Sequence, residues 1–172
     1  MMKNIVLTGF MGTGKTEVGR ELAKITGMKF IDIDAEIEKS EAMTINEIFR
    51  QRGEERFRDA ETEMIEKISQ QQRVIIATGG GAVLRKQNVD ALRKTGTLFC
   101  LTAKPETILL RTSRTNERPL LQVEDPLERI RDLLALRIPF YENADMVIDT
   151  EDKTPLQIAE EIMDKMRTFH RD

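Results

Sequence analysis

Residues Gly9-Phe-Met-Gly12-Thr-Gly14-Lys15-Thr16 have the spacing G-x-x-x-x-G-K-[ST], the spacing of a loop that wraps phosphates. Small residues let successive backbone N–H groups curve around an anion, and a helix starting at the end of the loop adds the positive end of its dipole. Lys15 supplies a mobile cation for the β- and γ-phosphates, and the Thr16 hydroxyl is a ligand for Mg²⁺. The plain alternative is a glycine-rich turn with an incidental lysine. An apolar run before the loop and a helical pattern after it, to about Thr26, favour a nucleotide-triphosphate site.

A phosphate loop leaves switch GTPase, motor ATPase and small-molecule kinase open. The chain has no Asn-Lys-x-Asp run for guanine, but it has Asp32-Ile-Asp34 at the end of the second apolar run. Residues two apart on a strand face the same way, so the spacing aims both carboxylates at one ligand edge. One can hold Mg²⁺ through water while the other takes a proton from an acceptor hydroxyl; the competing reading makes Asp34 the cap of a helix starting at Ala35. The third run ends in Gly79-Gly80-Gly81, either an ordinary turn or a place stripped of side chains so that a substrate approaches the backbone. Segment Ala103–Pro119 carries Lys104, Arg111, Arg114 and Arg118 against Glu106 and Glu117, a local charge of 4 − 2 = +2. Its polar centre, 112–117, lacks periodicity, as a mobile lid would, and an arginine closing over a transferred phosphoryl group offsets its charge. On residue type alone, Arg58 and Arg137 read as solvated helix charges.

These residues need a scaffold, and the pattern supplies one. Short runs at Asn4–Thr8, Lys29–Ile33, Arg73–Thr78, Thr97–Thr102 and Asp145–Asp149 are nearly continuous in Ile, Val, Leu or Phe, as parallel strands buried on both faces are. Helical stretches lie between them. Thr44-Ile-Asn-Glu47 is a capping box, and Asp125-Pro126 and Thr154-Pro155 each place a cap before a proline. Gly53 breaks the long helical stretch from Thr44 to Gln71. The alternation predicts a single doubly wound α/β domain spanning 1–172, with its ligand at the carboxyl ends of the strands.

Composition narrows the chemistry. The 172 residues hold 27 Lys and Arg against 30 Asp and Glu, a net charge of −3, with one His, one Cys and no Trp. That balance argues against a nucleic-acid partner. A single cysteine excludes an internal disulfide and any cysteine-cluster metal site, and His170 leaves little room for histidine catalysis. No segment approaches the ~18 apolar residues of a membrane span, so no membrane partner is expected, and the cysteine count with no export signal makes the cytoplasm the expected location. Cys100, inside an apolar run, reads as structural.

Together, Gly9–Thr16, Asp32-Ile-Asp34, Gly53-Glu-Glu-Arg-Phe-Arg58, Thr78-Gly-Gly-Gly81, Asn116-Glu-Arg118-Pro-Leu-Leu121 and Arg137-Ile-Pro-Phe-Tyr141 closely resemble the shikimate kinase family, in order from Met2 to about Met166. The resemblance implies a P-loop domain of the nucleoside-monophosphate-kinase-like group. Its five-stranded parallel sheet would have the order 2-3-1-4-5, flanked by helices, with a lid at about 112–125. It implies a monomer whose partners are ATP, with Mg²⁺, and shikimate, in the chorismate and aromatic amino acid pathway. Asp34 would meet the acceptor hydroxyl as candidate base, beside Lys15 and Arg118 as the other catalytic groups. Thr16 and Asp32 would support the metal. Gly12, Thr13, Gly14, Lys15, Thr16, Glu17, Arg111, Arg118 and Pro155 would hold ATP. Phe57, Arg58, Gly79, Gly80, Gly81 and Arg137 would join Asp34 around shikimate, the two arginines clamping its carboxylate. The adenine-side stretch Glu151-Asp152-Lys153-Thr154-Pro155 departs from the family's often basic pattern. Another kinase of the group, such as a gluconate kinase, and a catalytically silent nucleotide-binding regulator are the alternatives.

Overall fold

A computed structural model describes residues 3–114 and 121–169. Five strands, β1 (Asn4–Thr8), β2 (Lys29–Asp32), β3 (Val74–Ala77), β4 (Gly96–Thr102) and β5 (Met146–Asp149), form one sheet in the order 2-3-1-4-5. Every pairing is parallel. The central strand β1 is wholly buried, which is why its sequence is continuous rather than alternating. Ile5 and Leu7 point to one face, joining Val18 and Leu22 of α1 (Lys15–Thr26) and Ile158 and Ile162 of α7 (Pro155–Phe169). Val6 points to the other face. There it belongs to a core cluster with Ile33 and Ile37 of α2 (Ile33–Glu41), Ile65 of α3 (Ile45–Ser69), Leu92 of α4 (Lys86–Thr95), Ile108 of α5 (Pro105–Thr112) and Ile130 of α6 (Pro126–Tyr141).

The expected caps are in place. Thr44 and Glu47 form a reciprocal capping box on α3. Asp125 accepts from the Glu128 N–H at 3.1 Å, ahead of Pro126. Thr154 accepts from the Gln157 N–H at 3.2 Å, ahead of Pro155. Gly53, at φ 82° and ψ 166°, breaks α3 into two segments. The first carries Asn46 and Phe49 and the second carries Phe57, Arg58 and Glu61.

The end of β2 differs from the expectation. The strand stops at Asp32, and Ile33 already begins α2. Asp32, not Asp34, is the helix cap, accepting from the Ala35 N–H at 3.3 Å. The two carboxylates therefore do not share a strand face; Asp34 lies in the first turn of α2. The bend brings both to the same cleft by another route.

Opposite the carboxyl ends of the strands, Asn4 ties the sheet to its surroundings. Its Oδ1 accepts from the Val74 N–H at 3.1 Å, and its Nδ2 donates to Gln71 O at 2.7 Å and Thr95 Oγ1 at 3.2 Å. No helix among the described residues is long and apolar enough to cross a membrane.

Candidate active site

The loop between β1 and α1 and the loop after β3 leave the sheet side by side at its carboxyl edge, as the parallel pairing of β1 with β3 requires. They open into one cleft of about 750 Å³. One part is lined by Met11 to Val18, Arg111, Lys153 and Pro155, and another by Asp32, Asp34, Phe57, Arg58, Gly79 to Gly81 and Arg137. Every sequence-predicted site residue within the described segments lines it. Arg118, the centre of the expected lid and His170 lie outside the described residues. At the ends of the expected lid, Thr112 closes α5 and Asp125 caps α6.

In the phosphate loop Gly12 and Gly14 take φ of 77° and 93°, the left-handed turns that let successive N–H groups curve inward. Lys15 Nζ donates to Gly9 O at 2.6 Å and Phe10 O at 2.9 Å. Thr16 Oγ1 donates to Asp32 Oδ2 at 3.1 Å, so hydroxyl and carboxylate are neighbours beside the start of α1. Two hard oxygen donors of this kind suit Mg²⁺, which takes one or two protein ligands and completes its shell with water and phosphates. Among the described residues no cluster of three or more His, Cys, Asp or Glu could cage a metal alone. Arg111 Nη1 donates to Gly12 O at 3.2 Å and Thr150 Oγ1 at 3.4 Å, bracing the phosphate loop against the end of β5.

The region after β3 overturns the reading of Arg58 and Arg137 as solvated charges, because they are only 8% and 4% exposed. Arg58 Nη1 is paired with Glu61 Oε2 at 2.8 Å, and Arg58 Nη2 with Glu54 Oε1 at 3.4 Å. Glu61 is fully buried, and burial pushes its carboxyl above the ordinary range against the opposing pull of Arg58 and Arg137. The Tyr141 hydroxyl donates to Gly80 O at 2.7 Å, and burial pushes its pKa up to about 12, so it stays a phenol. Arg137 Nη1 is buried without a hydrogen-bond partner. Two buried guanidiniums on one cleft wall, one of them with an unmatched N–H, can receive a carboxylate.

Gly79 and Gly81 are required by this crowding. A Cβ at Gly81 would stand inside the Arg58 guanidinium, and one at Gly79 would lie 2.7 Å from Glu61 Oε1 and 3.0 Å from Asp34 Oδ1. Sequence reading missed Glu61, whose signal was its i,i+3 spacing from Arg58 on a helix. It also missed Asn46 and Phe49, which line the same cleft; Asn46 Oδ1 is buried without a partner, and the Phe49 ring lies 4.9 Å from that of Phe57.

Comparison with known proteins follows the same lines. A family model described as Shikimate kinase matches residues 11–167. A shikimate kinase of Thermodesulfovibrio yellowstonii is 56% identical over 162 residues, covering 94% of each chain. A solved structure, shikimate kinase from Acinetobacter baumannii in complex with shikimate, superposes with a TM-score of 0.95 at 39% identity, covering 98% of this chain and 94% of that one. A gluconokinase from Sinorhizobium meliloti is 19% identical with a TM-score of 0.62, over 98% of this chain and 93% of that one, a likeness of fold alone.

Proposed function

The chain belongs to the shikimate kinase family: it is an ATP-dependent phosphotransferase acting on shikimate, and we propose that the residues of this cleft divide the transfer to the 3-hydroxyl as follows. The phosphate loop, Gly12–Thr16, holds the triphosphate through backbone N–H groups and the start of α1. Lys15 exchanges its contacts with Gly9 O and Phe10 O for phosphate oxygens. Thr16 and Asp32 are the residues that would hold Mg²⁺, which when bound offsets charge on the phosphates. Glu17, Arg111 and Pro155 flank the nucleotide.

Arg58 and Arg137 receive the shikimate carboxylate, Phe57 packs beside the ring, and Gly79, Gly80 and Gly81 let the ring lie against the backbone. Asp34 meets the acceptor hydroxyl and takes its proton or orients it toward the γ-phosphorus. Arg118, from the lid segment 112–125, reaches the transferred group; this role rests on the sequence. A loose, charge-spread transition state needs positioning and fixed countercharge more than covalent help, and these residues supply both. The product would be shikimate 3-phosphate. A monomer in the cytoplasm fits this reading, with the one cysteine buried in β4.

The observation that carries the reading is one cleft lined both by a phosphate loop and by two buried arginines. A gluconate or nucleoside monophosphate lacks that match between a compact ring carboxylate and the Arg58–Arg137 wall. A coupled ADP-release assay with shikimate, gluconate and nucleoside monophosphates tests it. Turnover on shikimate alone is expected; turnover on gluconate or a monophosphate with none on shikimate would overturn the assignment.

A further inference from the structure

The loop after β5 is the stretch whose acidic sequence departs from the family pattern, and its first acid makes an unusual contact. Helix α5 begins with Lys104 as N-cap, whose side chain makes no capping bond. The cap comes from 47 residues away: Glu151 Oε1 accepts from the Lys104 N–H at 2.8 Å, and Glu151 Oε2 accepts from the Thr107 hydroxyl at 3.1 Å. An ordinary capping box supplies that acceptor from the third residue of the helix itself. Here Thr107 occupies that position, and Glu151 bridges it and the N-cap together.

The loop that presents Glu151 is itself braced. The Thr150 N–H and hydroxyl donate to Thr102 O at 3.0 and 2.7 Å, and the Glu151 N–H donates to Asp149 Oδ1 at 3.0 Å. Lys153 Nζ donates to Asp149 O at 2.9 Å and to Glu161 at 2.7 Å. Beyond Glu151, Lys153 and Pro155 line the cleft; at the far end of α5, Arg111 lines it and donates to Gly12 O of the phosphate loop. Two walls of the nucleotide part of the cleft thus come from segments far apart in sequence. Among the described residues, hydrogen bonds of the Glu151 cap and the long Arg111–Thr150 bond at 3.4 Å join them directly.

We propose that Glu151 is a positioning residue for the nucleotide, which by capping α5 from the neighbouring loop fixes Arg111 and the Lys153–Pro155 wall in register with the phosphate loop. The carboxylate suits the task, since it meets the positive end of a helix and lies near Lys104 and Arg111. The acidic residue that looks out of place beside a polyphosphate has its charge engaged by the helix rather than turned on the ligand. The inference rests on the nucleotide reading of the cleft.

Steady-state kinetics of the full chain, with ATP and shikimate varied separately, test it alongside calorimetric binding of ADP. Glu151→Ala is expected to raise the KM for ATP and the Kd for ADP about fivefold or more, leaving the KM for shikimate within about twofold. Glu151→Gln, which can still accept from the Lys104 N–H and bond the Thr107 hydroxyl, is expected to restore both to within about twofold of the parent. Thr107→Val is expected to give a smaller rise and to add little on top of Glu151→Ala, as two halves of one contact do. An unchanged ADP affinity in Glu151→Ala would overturn the proposal with the kinase assignment intact. So would an equal rise in both KM values that the Gln variant fails to rescue. A parent enzyme that neither binds ADP nor turns over shikimate would overturn the underlying reading, and the proposal with it.

Discussion

Arg58 and Glu61 form a 2.8 Å ion pair in which the carboxylate is fully buried. Desolvation penalises the anion more than Arg58 and Arg137 stabilise it, so folded Glu61 keeps its proton above the ordinary value of 4.5. For an acid whose folded pKa is raised, the stabilising contribution is complete below the unfolded value. It is lost as pH rises through the folded one. Urea unfolding of the parent and Glu61→Gln is therefore expected to show the parent's advantage shrinking as pH rises above the ordinary value of 4.5 toward the raised folded one. A gap that widens over that window would mean that the ion pair outweighs burial.

Gly81→Ala tests the crowding directly. The new Cβ would occupy the space of the Arg58 guanidinium, which is held by its ion pairs with Glu61 and Glu54. The expected result is a KM for shikimate raised about tenfold or more, with the KM for ATP unchanged, since about 1.4 kcal/mol lost from a charge-assisted contact is tenfold in affinity. Equal effects on both substrates would point to a general disturbance of the β3 edge instead.

Much of this was legible in the sequence because it depends on local periodicity. The apolar runs marked all five strands to within a residue or two, and the caps at Thr44, Asp125 and Thr154 marked three helix starts. The phosphate loop was legible because its geometry is written in one contiguous stretch. Arg58 and Arg137 read as surface charges because burial is set by what packs on a residue from elsewhere. Nothing in the α3 sequence says that Gly81, from the loop after β3, lies against Arg58. Glu61 was hidden for the same reason. Asp32 and Asp34 were placed in the right cleft from a mistaken premise, since the strand ends one residue earlier than its hydrophobicity suggests and Ile33 is buried in the first turn of a helix.

Asp34→Asn keeps the size and most of the hydrogen bonding of a side chain that lines the cleft in the first turn of α2. If Asp34 receives or orients the hydroxyl proton, kcat is expected to fall about 10²-fold or more, the order that general-base loss produces. Calorimetric affinity for ATP is expected to stay within about twofold, because the phosphate loop is untouched. Near-parental turnover would remove Asp34 from the chemistry.

Asn4 lies at the opposite end of the sheet and lines no part of the cleft. Asn4→Ala would leave the Val74 N–H and Gln71 O without the partners they have at 3.1 and 2.7 Å. The Val74 N–H is buried, and a buried group stripped of its partner costs about 1–3 kcal/mol, whereas exposed Gln71 can turn to water, so a loss of about 1–3 kcal/mol in urea unfolding is expected. KM values measured well below the transition should not move. A change in either KM would mean that strain travels along β1 to the phosphate loop.

Cys100 reports when the sheet opens. It sits in the middle of β4, fully buried, paired in register with Thr8 of β1 and Val147 of β5. Burial pushes its thiol up to about 11, so at neutral pH the folded protein presents no accessible thiolate to a maleimide or a disulfide reagent. Labelling is expected to require opening of the β1–β4–β5 pairing, so its rate in mild denaturant measures that opening. ATP and shikimate bind only the folded cleft, so saturation of both at about 100 times Kd should slow labelling by roughly two orders of magnitude per bound ligand. The raised thiol also has a sign at high pH. Its contribution to stability is intact below the ordinary value of 9.0 and declines toward 11, so Cys100→Ala should lose less stability than the parent across that alkaline window. Fast labelling of the native enzyme at neutral pH, unaffected by substrates, would show that β4 is reached without unfolding and that the thiol is not held as its burial implies.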